Sequence, residues 1–246
     1  MTDGRAFAFF LDFDGTLVEL ADRPDAVRVE LTTREVLDRL VAVTGGAVAI
    51  ITGRDIAVVD AFLAPLKLPT AGVHGLTRRD FGGGLRRCGA DRSFLEGAEA
   101  LLEPLVAAQR GLLLERKSDA LALHYRQRPD LEDACLAAME RVAAANIGVR
   151  LVRGKMVVEA RPQGADKGAA VAAFLKESPF FGRRAVFAGD DATDEDAFCV
   201  VNAKGGISIK IGPGPTAAVW RAESTTDFLD WLGQTVETFE RGGRYA

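Results

Sequence analysis

Cysteine is scarce: Cys88, Cys135 and Cys199 are the only three in 246 residues, and they lie far apart. An odd, scattered set cannot form a full disulfide framework, and no two are spaced like zinc ligands. Buried thiols in a reducing cytoplasm are therefore expected. Long apolar runs are absent as well. The run Ala6–Leu11 is closed at once by Asp12, which makes it too short for a signal-peptide core. The longest uncharged stretch, Val41 to Gly53, is interrupted by Gly45 and Gly46. It falls short of the ~20 residues that a membrane span requires. A basic surplus is also missing: 35 acidic residues stand against 31 basic ones, for a net charge of -4. Such a surface offers no electrostatic footprint for nucleic acid or anionic lipid. Internal repeats and low-complexity segments are absent. The expectation is a soluble, cytoplasmic, monomeric protein whose partner is a small molecule.

What is present is ample core material, since 48% of the residues are hydrophobic. The length suits one large domain or two modest ones. Short apolar runs at Ala6–Leu11, Ala47–Ile51 and Ala185–Ala188 are continuous rather than alternating, as in strands buried on both faces. Helical patterns lie between them. Leu31 to Val43 carries an amphipathic stripe at Val36, Leu37, Leu40 and Val41, and another helix begins at Lys167 and runs to Leu175. Strand–helix–strand alternation predicts an α/β fold with a mostly parallel sheet and helices on both faces. Ligands of such sheets bind beyond the carboxyl ends of the strands. That puts Asp12, Thr52 and Asp190 on one edge.

The middle of the chain has a different order. Phe94–Gln109 reads as a helix that Pro104 is expected to kink or interrupt. Leu112–Lys117 and Ala120–Arg126 read as strands joined at Ser118-Asp119. Leu131–Ala145 reads as a helix, and Val149–Val152 with Met156–Ala160 as a hairpin turning at Gly154. Helix–hairpin–helix–hairpin implies an antiparallel sheet of its own. Residues 88–162 are therefore expected to form an inserted domain, with 1–87 and 163–246 as the main one. Gly82-Gly83-Gly84 and Arg161-Pro162-Gln163-Gly164 are the expected hinges.

The sharpest chemical signal is Leu11-Asp12-Phe13-Asp14-Gly15-Thr16-Leu17. Two carboxylates two residues apart, just past a strand, share a polar pocket. Like charges that close are costly unless a cation intervenes or one takes a proton. Both resolutions suit phosphoryl chemistry: Asp12 as the nucleophile on phosphorus, Asp14 as the acid and then the base. An exposed acidic turn is the bland alternative, and the further acids of an EF-hand loop are lacking. Thr52, before Gly53-Arg54, offers a hydroxyl to a phosphate oxygen. Lys167, at a helix start, offers a fixed cation. Gly189-Asp190-Asp191-Ala192-Thr193-Asp194-Glu195-Asp196 packs five acids into seven residues. A solvated helix N-terminus would explain that cluster too, but its place after an apolar strand favours magnesium held by one or two carboxylates. Asp190 is the expected ligand. Asp191 and Asp194 are expected around it, and Asp12 and Asp14 close the metal set. Each of the last three signals is weak alone; together they are the equipment of phosphoryl transfer.

In these residues the chain resembles the phosphatases of the haloacid dehalogenase superfamily. Asp12-Phe13-Asp14-Gly15-Thr16, Thr52, Lys167 and Gly189-Asp190-Asp191 match that superfamily's four motifs in order. A closer resemblance, over nearly the whole chain, is to the trehalose-6-phosphate phosphatases. It is carried by Gly72-Val73-His74-Gly75, Leu123-His124-Tyr125-Arg126, Val158-Glu159-Ala160-Arg161-Pro162 and Gly189–Glu195. The resemblance implies a Rossmann-like core with an α/β cap of the C2B type, inserted after the third core strand. It also implies magnesium-dependent hydrolysis of trehalose 6-phosphate. Positions matching Glu115, Lys117 and Glu159 contact the sugar in that family. The shared strand parity of Glu115 with Lys117, and of His124 with Arg126, agrees with a polar sheet face. Gly53, Arg54, His74, His124 and Arg126 complete the expected substrate-binding set.

Two other readings fit part of the pattern. One is a different sugar-phosphate enzyme of the same superfamily, acting on sucrose phosphate, mannosylglycerate phosphate or a phosphohexose. The other is a phospho-aspartate receiver module, which shares the acidic pocket, threonine and lysine. Asp14 and the large insertion count against it, since a receiver needs neither a second-step base nor a cap.

Overall fold

The computed structural model describes residues 3–20, 27–87, 93–117, 120–146, 148–154, 156–162 and 166–242. The chain divides into two compact units, one of residues 1–87 with 165–246 and one of residues 88–164. In chain order the larger unit begins with β1 (Phe7–Leu11), α1 (Leu31–Thr44), β2 (Val48–Ile51), α2 (Ile56–Leu63), β3 (Thr70–Gly72), β4 (Thr77–Arg79) and β5 (Leu85–Arg87). The smaller unit contributes α3 (Ser93–Ala108), β6 (Leu113–Arg116), β7 (Leu121–His124), α4 (Glu132–Ala145), β8 (Val149–Gly154) and β9 (Val157–Pro162). The larger unit then resumes with α5 (Lys167–Phe174), β10 (Arg184–Gly189), α6 (Glu195–Ala203), β11 (Ile207–Ile211), β12 (Trp220–Ala222) and α7 (Thr225–Gly242).

The larger unit is built on one eight-stranded sheet, ordered β12-β11-β10-β1-β2-β3-β4-β5. From β12 to β3 all pairs are parallel; β4 and β5 add an antiparallel edge. Successive residues of a strand point to opposite faces, and here both faces are covered. Phe9, Leu11, Val48, Ile50, Val186 and Ala188 pack with Leu37 and Leu40 of α1 and Phe228, Leu232 and Val236 of α7. Ala8, Phe10, Ala49, Ile51, Ala185 and Phe187 pack with Val171 and Phe174 of α5 and Phe198 and Val201 of α6. This is why β1 and β2 are apolar at every position and β10 is apolar from Ala185 to Ala188. No helix of the described residues is long and apolar enough to cross a membrane.

The smaller unit has its own antiparallel sheet, ordered β6-β7-β9-β8, and its own core. Leu121, Leu123, Val158 and Ala160 face α3 and α4, where they meet Leu95, Leu102, Cys135, Met139 and Val142. The alternate residues lie on the other face. Register pairs Glu115 with Ala122 and Ala122 with Glu159, so these share that face.

Several sequence expectations shift by a residue or two at their ends, and three differ in kind. Helix α3 runs through Pro104 without ending there. Strand β7 stops at His124, which leaves Arg126 exposed in the following turn rather than on the strand. The segment Gly82-Gly83-Gly84 closes the β4–β5 hairpin, with Gly83 in the left-handed region (φ 85°), instead of serving as a free hinge. Of the other expected features, Ser118-Asp119, Cys88, Gln163 and Gly164 lie outside the described residues. Cys135 is buried and Cys199 exposed, both as free thiols.

Phe10 is fully buried and stacks on Phe180 at 5.4 Å between ring centres. Replacing Phe10 with Ala should cost ~3–5 kcal/mol of unfolding free energy, the usual range for a buried aromatic ring. Phe181, 74% exposed, serves as the contrast: its alanine variant should stay within about 0.5 kcal/mol of the parent. Urea denaturation of both variants measures the difference.

Candidate active site

The carboxyl ends of β1, β2 and β10 converge on one edge of the larger sheet. The chain leaves β1 at Asp12, whose N–H is held by the Ala188 carbonyl of β10 at 3.0 Å. The loop beyond is tied on itself, Gly15 N–H donating to Val18 O at 2.8 Å. The hydroxyl of Thr225 donates to Gly15 O at 3.0 Å. Gly15 has φ 74°, and a β-carbon there would lie 2.1 Å from Asp190 Oδ2. No other residue fits a turn that is both left-handed and pressed against a carboxylate.

Asp12 is 3% exposed and faces Lys167, the first residue of α5. Lys167 Nζ donates to Asp12 Oδ1 and to Asp194 Oδ1, each at 2.7 Å. Asp194 is fully buried at the start of α6. Its second oxygen accepts from the Asp191 N–H at 2.9 Å, while Asp191 Oδ1 accepts from the Ala192 N–H at 2.6 Å. The pair thus forms a capping box that fixes Asp194 beneath the lysine. Carboxylate oxygens of Asp12, Asp190 and Asp194 lie within 4.8 Å of one another.

Burial dominates the electrostatics of this cluster. It pushes the Asp12 carboxyl well above the usual carboxylate range; Lys167 pulls against it and Asp194 adds to it. Asp190 is raised to about 6, by burial first and the Asp194 charge second. Burial alone would lower Lys167, but Asp12 and Asp194 outweigh it and hold the ammonium above its ordinary value. A cluster whose buried carboxyls are held above their ordinary range is short of positive charge.

Asp14 and Asp191 stand apart from that cluster. Asp14 makes a two-pronged ion pair with Arg54: Nε to Oδ2 and Nη2 to Oδ1, both at 2.7 Å. The guanidinium also sits over the rings of Phe13 and Phe62, at 5.7 and 5.2 Å. Arg54, expected on the substrate, is therefore engaged with the acid/base candidate. Thr52 is fully buried at the end of β2, and its oxygen accepts from the Arg54 N–H at 3.1 Å. Its own proton is left to donate. His74 lies against Gly53. In the smaller unit that polar sheet face carries an ion pair, Lys117 with Glu159 at 2.7 Å, and a hydrogen-bonded pair, His124 Nε2 with Glu115 at 2.8 Å.

One residue near the site had escaped notice. Lys210, 5% exposed on β11, donates to the backbone carbonyl of Asp190. A lysine flanked by Ile209 and Ile211 within an apolar strand is the signal that could have found it, because lysine is almost never fully buried without a partner.

This site, on a parallel sheet and together with the relatives that follow, puts the chain among the phosphoric monoester hydrolases of the haloacid dehalogenase type. More narrowly, the chain belongs to the trehalose-phosphatase family, whose sequence pattern matches residues 10–227. It is 42% identical over 226 residues to the trehalose-6-phosphate phosphatase of Escherichia coli K12, covering 92% of this chain and 85% of the relative. It is 45% identical over 213 residues to a probable trehalose-phosphate phosphatase of Sinorhizobium fredii, covering 86% and 80%. Among solved structures, a trehalose-6-phosphate phosphatase related protein superposes with a TM-score of 0.76 at 27% identity, over 96% of this chain and 99% of that one. The C-terminal domain of the Candida albicans trehalose-6-phosphate phosphatase reaches 0.81 at 24% identity, over 95% and 93%, a likeness of fold.

The ion pairs made by Lys167 and by Arg54 should respond differently to loss of the cation. Lys167→Met strands two buried carboxylates and should lower the unfolding free energy by ~3–5 kcal/mol. Arg54→Met frees Asp14, whose side chain is 31% exposed, and should cost no more than ~1 kcal/mol. Denaturant titration of the two variants against the parent gives the comparison. Equal losses would refute the burial argument.

Proposed function

We propose that this chain hydrolyses trehalose 6-phosphate to trehalose and inorganic phosphate through an aspartyl-phosphate on Asp12, with magnesium as cofactor. The observation that carries the chemistry is the buried Asp12–Lys167–Asp194 arrangement with Asp190 beside it. The substrate comes from the family and from relatives named for that activity. The smaller unit is the cap in this reading, and the larger unit is the catalytic core.

The donor set fits a hard divalent cation. Three carboxylates within 4.8 Å offer oxygen alone, with no histidine or cysteine among them, and oxygen-only sets suit magnesium rather than zinc. Asp12, Asp190 and Asp194 would hold it, and it would neutralise charge on the phosphate oxygens.

The residues divide the work in two steps. An Asp12 carboxylate oxygen bonds to phosphorus, and the bond from phosphorus to the sugar 6-oxygen breaks. Asp14 gives that oxygen its proton, and trehalose leaves. Water then attacks phosphorus, losing its proton to Asp14, and the bond from phosphorus to the Asp12 oxygen breaks to release phosphate. Both oxygens of resting Asp14 accept from Arg54, so this role requires the bridge to loosen when the leaving oxygen arrives. Lys167 screens the nucleophile from the incoming dianion, and the Thr52 hydroxyl donates to a phosphate oxygen. On the cap, Lys117, Glu159, Glu115 and His124 present donors and acceptors to sugar hydroxyls.

Phosphate release from a panel of sugar phosphates, with magnesium and with chelator, tests the reading. Trehalose 6-phosphate should be the preferred substrate, chelation should abolish turnover, and Asp12→Asn should be inactive but folded. Full activity in excess chelator, or near-normal turnover by Asp12→Asn, would overturn the metal or the covalent step respectively.

Lys117→Ala or Glu159→Ala should lower kcat/KM for trehalose 6-phosphate by roughly 10–100-fold and leave a small aryl phosphate nearly unaffected. Because the two side chains pair with each other, the double variant should lose little more than either single one.

Magnesium binding should also weaken on acidification. Asp190 is raised to about 6; below that pH it binds a proton, which competes with the cation, and above it the carboxylate is free. Calorimetric titration at about pH 5 and about pH 7.5 should show the tighter binding at the higher value, with proton release on binding. Equal affinity at both would contradict the carboxylate site.

A further inference from the structure

The segment Gly72–Gly75 runs beside the turn that carries Thr52 and Arg54, and its backbone is unusual. Val73 and His74, consecutive and neither of them glycine, both occupy the left-handed region, at φ 49° and 54°. A β-branched residue there is a conformational outlier, and such outliers persist only where surrounding contacts over-determine them.

Two backbone hydrogen bonds that hold this bend go to the same turn. The Val73 N–H donates to the Arg54 carbonyl at 3.0 Å, and the His74 N–H donates to the Thr52 carbonyl at 2.8 Å. Both peptide carbonyls on either side of Gly53 are thereby pinned. The imidazole of His74 closes over the residue between them: a β-carbon on Gly53 would lie 2.7 Å from His74 Nε2 and 2.8 Å from Cε1. Gly53 is not itself in the left-handed region, so glycine is required there for clearance under the ring rather than for its backbone freedom. On its far side the segment meets the start of α5, where a β-carbon on Gly75 would lie 2.7 Å from the Asp166 carbonyl, next to Lys167.

We propose that His74 is a positioning residue: its ring, packed on Gly53, sets the Thr52–Arg54 turn and through it the phosphate-facing hydroxyl and the guanidinium that holds Asp14. This rests on the roles given above to Thr52, Arg54 and Asp14. It assigns His74 a task in the larger unit that does not involve touching the sugar. Displacement of a reacting or orienting group by about 1 Å can cost on the order of 100-fold in rate, so a support of this kind is visible in turnover.

His74→Gly separates the ring from the backbone, because glycine accepts the left-handed conformation without strain. The variant should lose about 10-fold or more in kcat on trehalose 6-phosphate and on a small aryl phosphate alike, with KM little changed. His74→Asn, which also tolerates that conformation and keeps a planar polar group, should recover part of the rate. Gly53→Ala should lose on the order of 100-fold and melt earlier than the parent. Adding His74→Gly to it should restore both melting temperature and rate above the Gly53→Ala level, since the clashing ring is gone.

A loss confined to trehalose 6-phosphate would overturn the proposal and make His74 a sugar contact. Unchanged kcat in His74→Gly, or no rescue of Gly53→Ala by it, would overturn it as well. An inactive parent protein would instead count against the phosphatase reading, and the melting-temperature rescue would still test the packing of His74 on Gly53.

Discussion

A single ammonium group, Lys167 Nζ, lies between two carboxylates that water does not reach. Its partners arrive from opposite ends of the sequence, Asp12 on the first strand and Asp194 on a helix start beyond β10. Bringing an ion out of water costs several kcal/mol even after the protein relaxes, so each of the three is tolerable only because the other two are in place. The rest of the larger unit serves this arrangement. The parallel pairing of β1 with β10 delivers Asp12 beside Gly189 and Asp190. The capping box of Asp191 and Asp194 spends one carboxylate oxygen on the backbone and turns the other to the lysine.

The arrangement is unbalanced by design of its parts. Asp12, Asp190 and Asp194 present three potential negative charges; Lys167 and the buried Lys210 supply two positive ones. The deficit appears physically as the Asp12 and Asp190 carboxyls being held above their ordinary range, by burial first and by their neighbours' charge after it. The cluster is thus lined with oxygen, largely buried and short of positive charge, which is the electrostatic ground of the magnesium proposed above. Asp14 follows the opposite course. It is partly exposed and already neutralised by Arg54, so it stays outside the cluster although only Phe13 separates it from Asp12. Two carboxylates two residues apart on the chain thus sit in different electrostatic surroundings.

Much of this was legible in the residues. Strands buried on both faces announce themselves as unbroken apolar runs, which is why β1, β2 and β10 could be placed from Ala6–Leu11, Ala47–Ile51 and Ala185–Ala188. The acids, threonine and lysine at or near the ends of those runs followed. Strand β11 was not read, its run being broken by Ser208 and Lys210, nor was the short β3, and strands β4, β5 and β12 were not legible. They are three residues long, and β4 and β5 carry four arginines between them, so they have neither length nor apolar pattern. Their pairing is decided by neighbours already in the sheet. The partnership of Arg54 with Asp14 was hidden for a different reason: 40 residues separate them, and spacing gives no measure of a distance that the fold closes. Arg126 was misplaced because strand alternation was extended one turn too far, past the point where Tyr125 N–H bonds to Met156 O and the chain bends.

The pairing of β1 with β10 also has a consequence for how the chain reaches its native state. Phe7 sits opposite Arg184 in the central sheet, and Asp12 is 155 residues from the lysine that balances it. Contacts of such sequence separation form late, because the entropy of closing the loop must be met before the contact contributes anything. Residues 88–164 lie inside that loop and have a core of their own. A smaller unit able to collapse early would shorten the effective loop and bring the two halves of the sheet within reach. On the ribosome, the acidic loop after β1 would emerge long before its counter-charge. In that interval Asp12 is a solvated carboxylate, and its buried contact with Lys167 forms only when the second half of the sheet docks.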